Sequence, residues 1–553
     1  MQRWRRVREL VAPRMDRPFP LWMIFSVIFA ALFASHSTLL RLPYYWDEAG
    51  YYIPAAWDFF RTGSLIPTTT LSNAHPPLPS VYLALWWKLS GFSPAVTREA
   101  VLLVAALGLL AVWRLAMRLT GVAGVAFWTV VLTGLYPVWF AQSTLAQADI
   151  FAAACALWGL VYALPARDGG GVPKAWAAAA WFTAAALCKE TAVAIPLTLA
   201  AVSAWNGMRA RHWTPWRDAL WLTSPALPLA GWYAWYHAKT GWWFGNPQFV
   251  RYNAQATLEP VRILAALGYR VLHLTAHMNL FVPVLMMLAA LLLEPRKTKN
   301  GRERERICRM ARGQILLLLA MNAVLFSVLG GALLTRYLLP MYPLVLLLAV
   351  ATFYRRVPLW PALTAFCGCA FVLGLFVNPS YRFAPEDNLE YARVVRMDQA
   401  GIAELKTRYP DATVLTAWPV TDELTKPELG YVKKPWDVEA IDDFTAAEVA
   451  KAAGEPGKYS AALVFSTKYD PPWLPWRLGA KEERLDERYF DLHHDLPPGT
   501  IAERLGGKLV WEQRRDGMWI ALIRFERQYE AGAGGGERSG ESGRQGARLA
   551  AGR

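Results

Sequence analysis

The chain is expected to be a polytopic α-helical membrane protein, with a small α/β domain following its last span. Apolar runs of about 20 residues recur along it, each able to cross roughly 30 Å of hydrocarbon as a helix. Of its 553 residues, 55% are hydrophobic and 13% aromatic, too apolar a composition for one soluble domain of that length. Beyond Asn378 the charge density rises to that of a soluble protein.

The formal charge of +15 does not point to nucleic acid. Its excess lies in MQRWRRVREL, RHWTPWR and RKTKNGRERERICRMAR, between apolar runs, where lysine and arginine mark the cytoplasmic side. Four of the five cysteines lie within apolar runs, so no disulfide framework is indicated. The basic N-terminus resembles a signal peptide in charge, but no small-residue cleavage site follows, and residues 21 to 40 are read as a retained first span.

Between that span and the next apolar run lies YYWDEAGYYIPAAWDFFRTGSLIPTTTLSNAHPPL, the heart of a loop covering residues 42–78. Pro77 to Leu89 is apolar but short for a crossing and suits an interfacial helix. Spans are then expected near residues 96–115, 121–140 and 148–165. The run from Ala175 to Trp205 is interrupted by Lys189 and Glu190. Two short helices meeting there as a hairpin keep Arg209, Arg211 and Arg217 cytoplasmic. Further spans near 218–237, 278–293, 314–333, 338–353 and 358–377 bring the count to about 11, an odd number that places the C-terminal region outside.

Residues 1–378 are therefore read as a transmembrane domain and 379–527 as a soluble extracytoplasmic α/β domain. The latter carries strand-like runs ATVLTAW, SAALVFS, KLVWEQ and MWIALIRF, and a helical pattern around EDNLEYARVVRMDQAGIAEL. The tail 528–553 is too poor in apolar residues for a core and is expected to be disordered.

Certain residues stand out by position. Asp47 and Glu48 follow the first span and, in a helix, lie four residues before Tyr51 and Tyr52. They suit either a general base acting on an acceptor hydroxyl or amine, or the acidic start of a helix. His75 is held extended before Pro76 and Pro77. Asp149 opens an apolar span, as a cavity residue or as an N-cap. Lys189 and Glu190 are intramembrane charges, either functional or mutually neutralising. Arg336, beside Tyr337, is an interfacial anchor or a fork for phosphate. His273 and His277 share the spacing of some zinc sites, but no zinc-protease pattern surrounds them. Cys367 and Cys369 read as small packing residues.

Taken together, WDEAGYY, NAHPPL, QAD, LCKET and TRYLLPMYP, in order over about residues 20–355, resemble glycosyltransferase family 39. That group includes protein O-mannosyltransferases and bacterial transferases that add aminoarabinose to lipid A. The resemblance implies the C-type glycosyltransferase fold and transfer of a sugar from a polyprenyl-phosphate donor to a protein, lipid or glycan acceptor on the outer face of the membrane. It implies Asp47, of the pair with Glu48, as catalytic base; Lys189, Arg336 and Tyr337 at the donor phosphate; and His75, Asp149 and Glu190 around the cavity, with His75 and Asp149 as possible ligands of a divalent metal. The chain departs from the aminoarabinose transferases in carrying His75 where a lysine is common before Pro-Pro, and from many relatives in Lys189-Glu190 for Lys-Gly.

A polyprenyl-linked sugar transporter or flippase is the competing reading; it predicts internal repeats, which the sequence lacks. A non-catalytic scaffold leaves the charged set without a purpose. The C-terminal domain is expected to cap the cavity or select the acceptor. Short loops and the lack of lumenal retention signals suggest a bacterial inner membrane.

Overall fold

The computed structural model describes residues 20–167, 174–210, 212–255, 257–298, 301–469, 480–490 and 492–525. The expected tail 528–553 and the basic residues 1–19 lie outside these.

Apolar sequence becomes helix throughout the first two thirds of the chain, but the helices are broken more often than hydropathy suggests. Among the described residues, Pro94–Thr120, Glu190–Arg209 and Arg309–Val328 are long and apolar enough to cross a membrane. The pair Pro260–Asn279 and Phe281–Leu291 makes a fourth if it is one span bent by 99°. By this measure three or four helices qualify where the sequence suggests about 11. The difference is partly one of helix length. Ala123–Leu135 stops where Tyr136 turns extended ahead of Pro137, and its 13 residues reach only about 20 Å. Leu21–His36, Ala148–Ala163, Ala175–Cys188 and Trp360–Phe376 are likewise shorter apolar helices. The segment expected to lie at the interface forms a helix, Leu78–Ser90.

The run at Lys189 breaks as its charges suggest. Lys189 is extended (φ −150°, ψ 125°), ending helix Ala175–Cys188, and a 3₁₀ turn at Glu190–Val193 leads into Ala194–Ala210. The two helices meet there but do not lie along one another as a hairpin does. Ala175–Cys188 packs on Ala148–Ala163, whereas Ala194–Ala210 packs on Trp213–Thr223.

Beyond residue 389 the chain forms a five-stranded sheet of order β2-β1-β3-β5-β4, with β1 Val414–Ala417, β2 Val438–Ile441, β3 Ala461–Phe465, β4 Lys508–Arg515 and β5 Met518–Arg524. β1 pairs in parallel with β2 and β3, and β5 runs antiparallel to β3 and β4. The strand-like runs of the sequence coincide with β1, β3, β4 and β5, because those residues are β-branched, aromatic or buried on both faces. β2, with the sequence VEAI, is short and only half-buried, too weak a pattern to announce itself. Helix Glu390–Arg408 packs on the sheet through Val395, Ile402 and Leu405.

The sheet's core is continuous with the helical part. Leu39, Tyr45, Phe140 and Leu375, from the ends of the helices, are buried in the same cluster as Val414, Leu463 and Ile520. Polar contacts follow the same seam: Tyr431 donates to the Tyr44 carbonyl at 2.9 Å, and the hydroxyls of Thr144 and Tyr391 lie 2.9 Å apart. Trp418, immediately after β1, rests on Gly50. A Cβ added at Gly50 would lie 2.6 Å from the indole, so the loop and the sheet approach this closely only because that position is glycine.

Candidate active site

A cavity of about 1470 Å³ lies between the helices and the sheet. Asp47, Tyr52, His75, Lys189, Glu190, Arg336 and Tyr337 all line it. Segments more than 280 residues apart thus meet on one wall, with Arg336 at the centre.

Arg336 sits in a 3₁₀ turn, Thr335–Leu338, and is 3% exposed. Its guanidinium is paired with the carboxylates of Asp47 and Glu386, and its Nε lies 3.3 Å from Asp149 Oδ2. Asp149 is in the first turn of Ala148–Ala163 but makes no capping bond; its Oδ1 accepts from Lys189 Nζ at 2.5 Å. The Lys189 ammonium also stands 4.0 Å from the centre of the Tyr337 ring, a cation–π contact that holds the charge in place. So Asp47, Asp149, Glu386, Arg336 and Lys189 form one network, buried except at Asp47.

Glu386 accepts from Gln147 at 2.8 Å. Burial pushes its carboxyl up to about 7, against Arg336, which pulls it down; the negative charge of Asp47 adds to the rise. Next to it, Asp387 is bonded to the Thr335 hydroxyl and lies 3.0 Å from His277 Nε2, and His277 Nδ1 lies 3.0 Å from the Tyr381 hydroxyl. The 385–387 turn therefore braces the turn that carries Arg336, on both sides.

The structure separates the Asp-Glu pair. Asp47 is 22% exposed at the cavity wall, whereas Glu48 is 0% exposed and faces away from it. A π-helical turn, Glu48–Tyr52, begins here, after Trp46 at φ 44°. Glu48 accepts from Arg98 Nη2 at 3.3 Å, from the Tyr45 N–H at 3.0 Å and from the Ala146 N–H at 2.6 Å. Burial pushes the Glu48 carboxyl up, and these donors pull it back. Its place is that of a brace for the loop. Glu48→Gln leaves the Arg98 guanidinium buried without its countercharge and is expected to cost about 3–5 kcal/mol, read as a lowered thermal unfolding temperature in detergent.

His75 Nδ1 lies 3.0 Å from Glu190 Oε2, and the His75 ring stacks on Tyr52 with centroids 6.0 Å apart. As metal ligands, His75 and Asp149 do not fit. The oxygens of Asp149 face Lys189 and Arg336, two cations that repel a third, so Asp149 and His75 do not share an ion. Among the described residues no three His, Cys, Asp or Glu side chains are grouped for a metal. The His273 and His277 rings are 5.3 Å apart, but His277 serves Asp387 and His273 Nδ1 lies 3.3 Å from Arg270. Cys367 and Cys369 are free thiols.

Sequence reasoning missed Glu386, Asp387 and Arg270. The first two lie past residue 378, in a polar stretch where carboxylates are unremarkable. Arg270 is buried within Pro260–Thr275 and donates to the carbonyls of Phe326 and Leu334, fixing the approach to the Arg336 turn. An arginine amid RILAALGYRVLHL was a legible signal of the kind that singled out Lys189.

Residues 74–237 match the family model of the dolichyl-phosphate-mannose-protein mannosyltransferases. Among solved structures, the chain is similar to ArnT from Cupriavidus metallidurans bound to undecaprenyl phosphate, with 15% identity and a TM-score of 0.51 over 91% of this chain and 97% of that one. ArnT from the same organism in the apo state gives 14% identity and a TM-score of 0.49, over 90% of this chain and 98% of that one. No curated protein matches. The resemblance to glycosyltransferase family 39 is thus supported over residues 74–237 by the family match, and the fold is shared with ArnT along the chain.

Proposed function

We propose that this chain is a membrane glycosyltransferase that moves a sugar from a polyprenyl-phosphate donor to an acceptor at the outer face of a bacterial inner membrane. The observation that carries this is the contact of Asp47 with Arg336 on the cavity wall, which sets a candidate base and a candidate phosphate ligand side by side. The family match and the fold shared with ArnT, which was crystallised with undecaprenyl phosphate, support the same donor class. The protein has its N-terminus in the cytoplasm, about 11 crossings in which shorter and bent helices take part, and the sheet with its helices, within residues 379–527, on the outside.

In this reading the apolar wall formed by Leu272, Ala276, Phe326, Leu329 and Leu333 receives the start of the lipid chain. Lys189 and Arg336 hold the donor phosphate, with Tyr337 placing the ammonium. Asp47 takes the proton of the acceptor hydroxyl or amine as that atom attacks the anomeric carbon. The bond from carbon to phosphate oxygen breaks, the phosphate leaves with the electron pair, and the two cations stabilise its charge. Attack opposite the phosphate inverts the anomeric centre; NMR of the product showing retention overturns that point. His75 and Glu190 shape the cavity beside the donor.

Arg336 already serves three carboxylates, so an entering phosphate replaces one of them. Glu386 is the one whose carboxyl burial pushes up to about 7. Below about pH 7 it is protonated and leaves Arg336 more available; above, it ionises and competes. The KM for donor is therefore expected to rise several-fold as pH climbs through about 7, and Glu386→Gln to flatten that rise. Donor titrations across pH check it.

The deciding experiment is release of undecaprenyl phosphate from a panel of undecaprenyl-phosphate sugars by purified protein with extracted membrane acceptors. Release establishes transfer and the sugar. Donor bound but never cleaved gives the transporter reading instead.

A further inference from the structure

The parallel strands β2, β1 and β3 run the same way, so their C-terminal ends share one edge of the sheet. The residues just past those ends are Asp442 after β2, Trp418 after β1, and Thr467 to Tyr469 after β3. All of them line the cavity that holds Asp47. The chain passes from β1 to β2 on one side and then crosses to β3 on the other, so its direction switches at β1. In open α/β sheets such a switch point, outside the carboxyl ends of the strands, is where ligands bind. Here that crevice opens into the candidate catalytic cavity.

Its walls suit one kind of ligand. Trp418 is half-buried, seated on Gly50; its ring meets Trp46 edge-on at 5.1 Å and Tyr51 at 5.9 Å. Trp46 precedes Asp47 directly, so the sheet and the loop bring two indoles together in the cavity that holds this carboxylate. Aromatic faces carry negative charge and attract the C–H face of a sugar ring. Asp442, exposed on this edge, accepts hydrogen bonds and so suits a hydroxyl rim.

We infer that this strand-end edge is the acceptor subsite and that the acceptor group is a saccharide ring, stacked on Trp418 with its hydroxyls toward Asp442. The inference rests on the transferase reading and names the acceptor class for it. It assigns Trp418 as a specificity-determining residue supplied by the C-terminal part of the chain.

The test is saturation-transfer NMR on the detergent-solubilised full chain, with N,N′-diacetylchitobiose, lactose and a short serine- and threonine-containing peptide as probes. Saturation is expected on ring C–H protons of a disaccharide, falling about 5-fold in Trp418→Ala and largely retained in Trp418→Phe. Should Trp418→Ala not fold, Asp442→Asn, at an exposed position, is expected to weaken the same signal about 3-fold. Saccharide signal unchanged by both Trp418→Ala and Asp442→Asn, or saturation on the peptide alone, overturns the inference. Undecaprenyl phosphate binding measured on the same samples keeps the two readings apart. It should depend on Arg336 and not on Trp418, and its absence from wild type counts against the transferase reading whatever the sugars do.

Discussion

Asp47→Asn is expected to lower turnover by about 10²- to 10⁴-fold, the usual contribution of a positioned general base. The amide keeps the shape of the side chain and still offers an oxygen to Arg336, so the loop stays in place. What it loses is the capacity to take a proton. Donor affinity should be unchanged or tighter, because the guanidinium sheds one competing carboxylate. Single-turnover release of undecaprenyl phosphate, set beside equilibrium binding of the same lipid, separates the two effects. A variant that turns over like wild type moves the base elsewhere on the wall.

Arg336→Met is expected to cost more, in two measurable ways. Transition-state charge on the leaving phosphate loses its main partner, worth about 10³-fold or more in kcat/KM. The fold also suffers: Asp47, Asp149 and Glu386 converge on this guanidinium, and removing it leaves buried carboxylates with Lys189 as the remaining cation of the network. A loss of about 3–5 kcal/mol follows, seen as a lower unfolding temperature. Arg336→Lys distinguishes the two effects. One ammonium restores charge and much of the stability but cannot serve three carboxylates as a planar fork does, so turnover stays low. Wild-type turnover in Arg336→Met would remove the phosphate role altogether.

Much of this charged network was readable because charge is conspicuous in an apolar context. Asp149, Lys189 and Arg336 interrupt or head apolar runs, where an ionised group needs a partner, and the structure supplies those partners to one another. The same logic was silent for Glu386 and Asp387, which lie among other charged residues. It also misjudged Glu48, since adjacent carboxylates look alike in sequence, and which one faces the cavity is set by a π-helical turn that no periodicity announces. Apolar length located helices well but overstated their continuity. Residues such as Tyr136 before Pro137 and Lys189 end a helix without ending the apolar run. The C-terminal strands were legible where their residues are β-branched, aromatic or buried on both faces, while β2 and the position of Trp418 depend on contacts far along the chain.

The seat of Trp418 on Gly50 also governs what can be exchanged between relatives. A C-terminal part grafted from another protein brings its own residue at the end of β1, and the loop's backbone meets that residue with no side chain to give way. Chimeras that pair a large flat ring with this glycine should assemble. Those that bring a small residue leave a gap over Gly50, and those that replace the glycine force the halves apart. The two halves are in that sense keyed to one another by a missing methyl group.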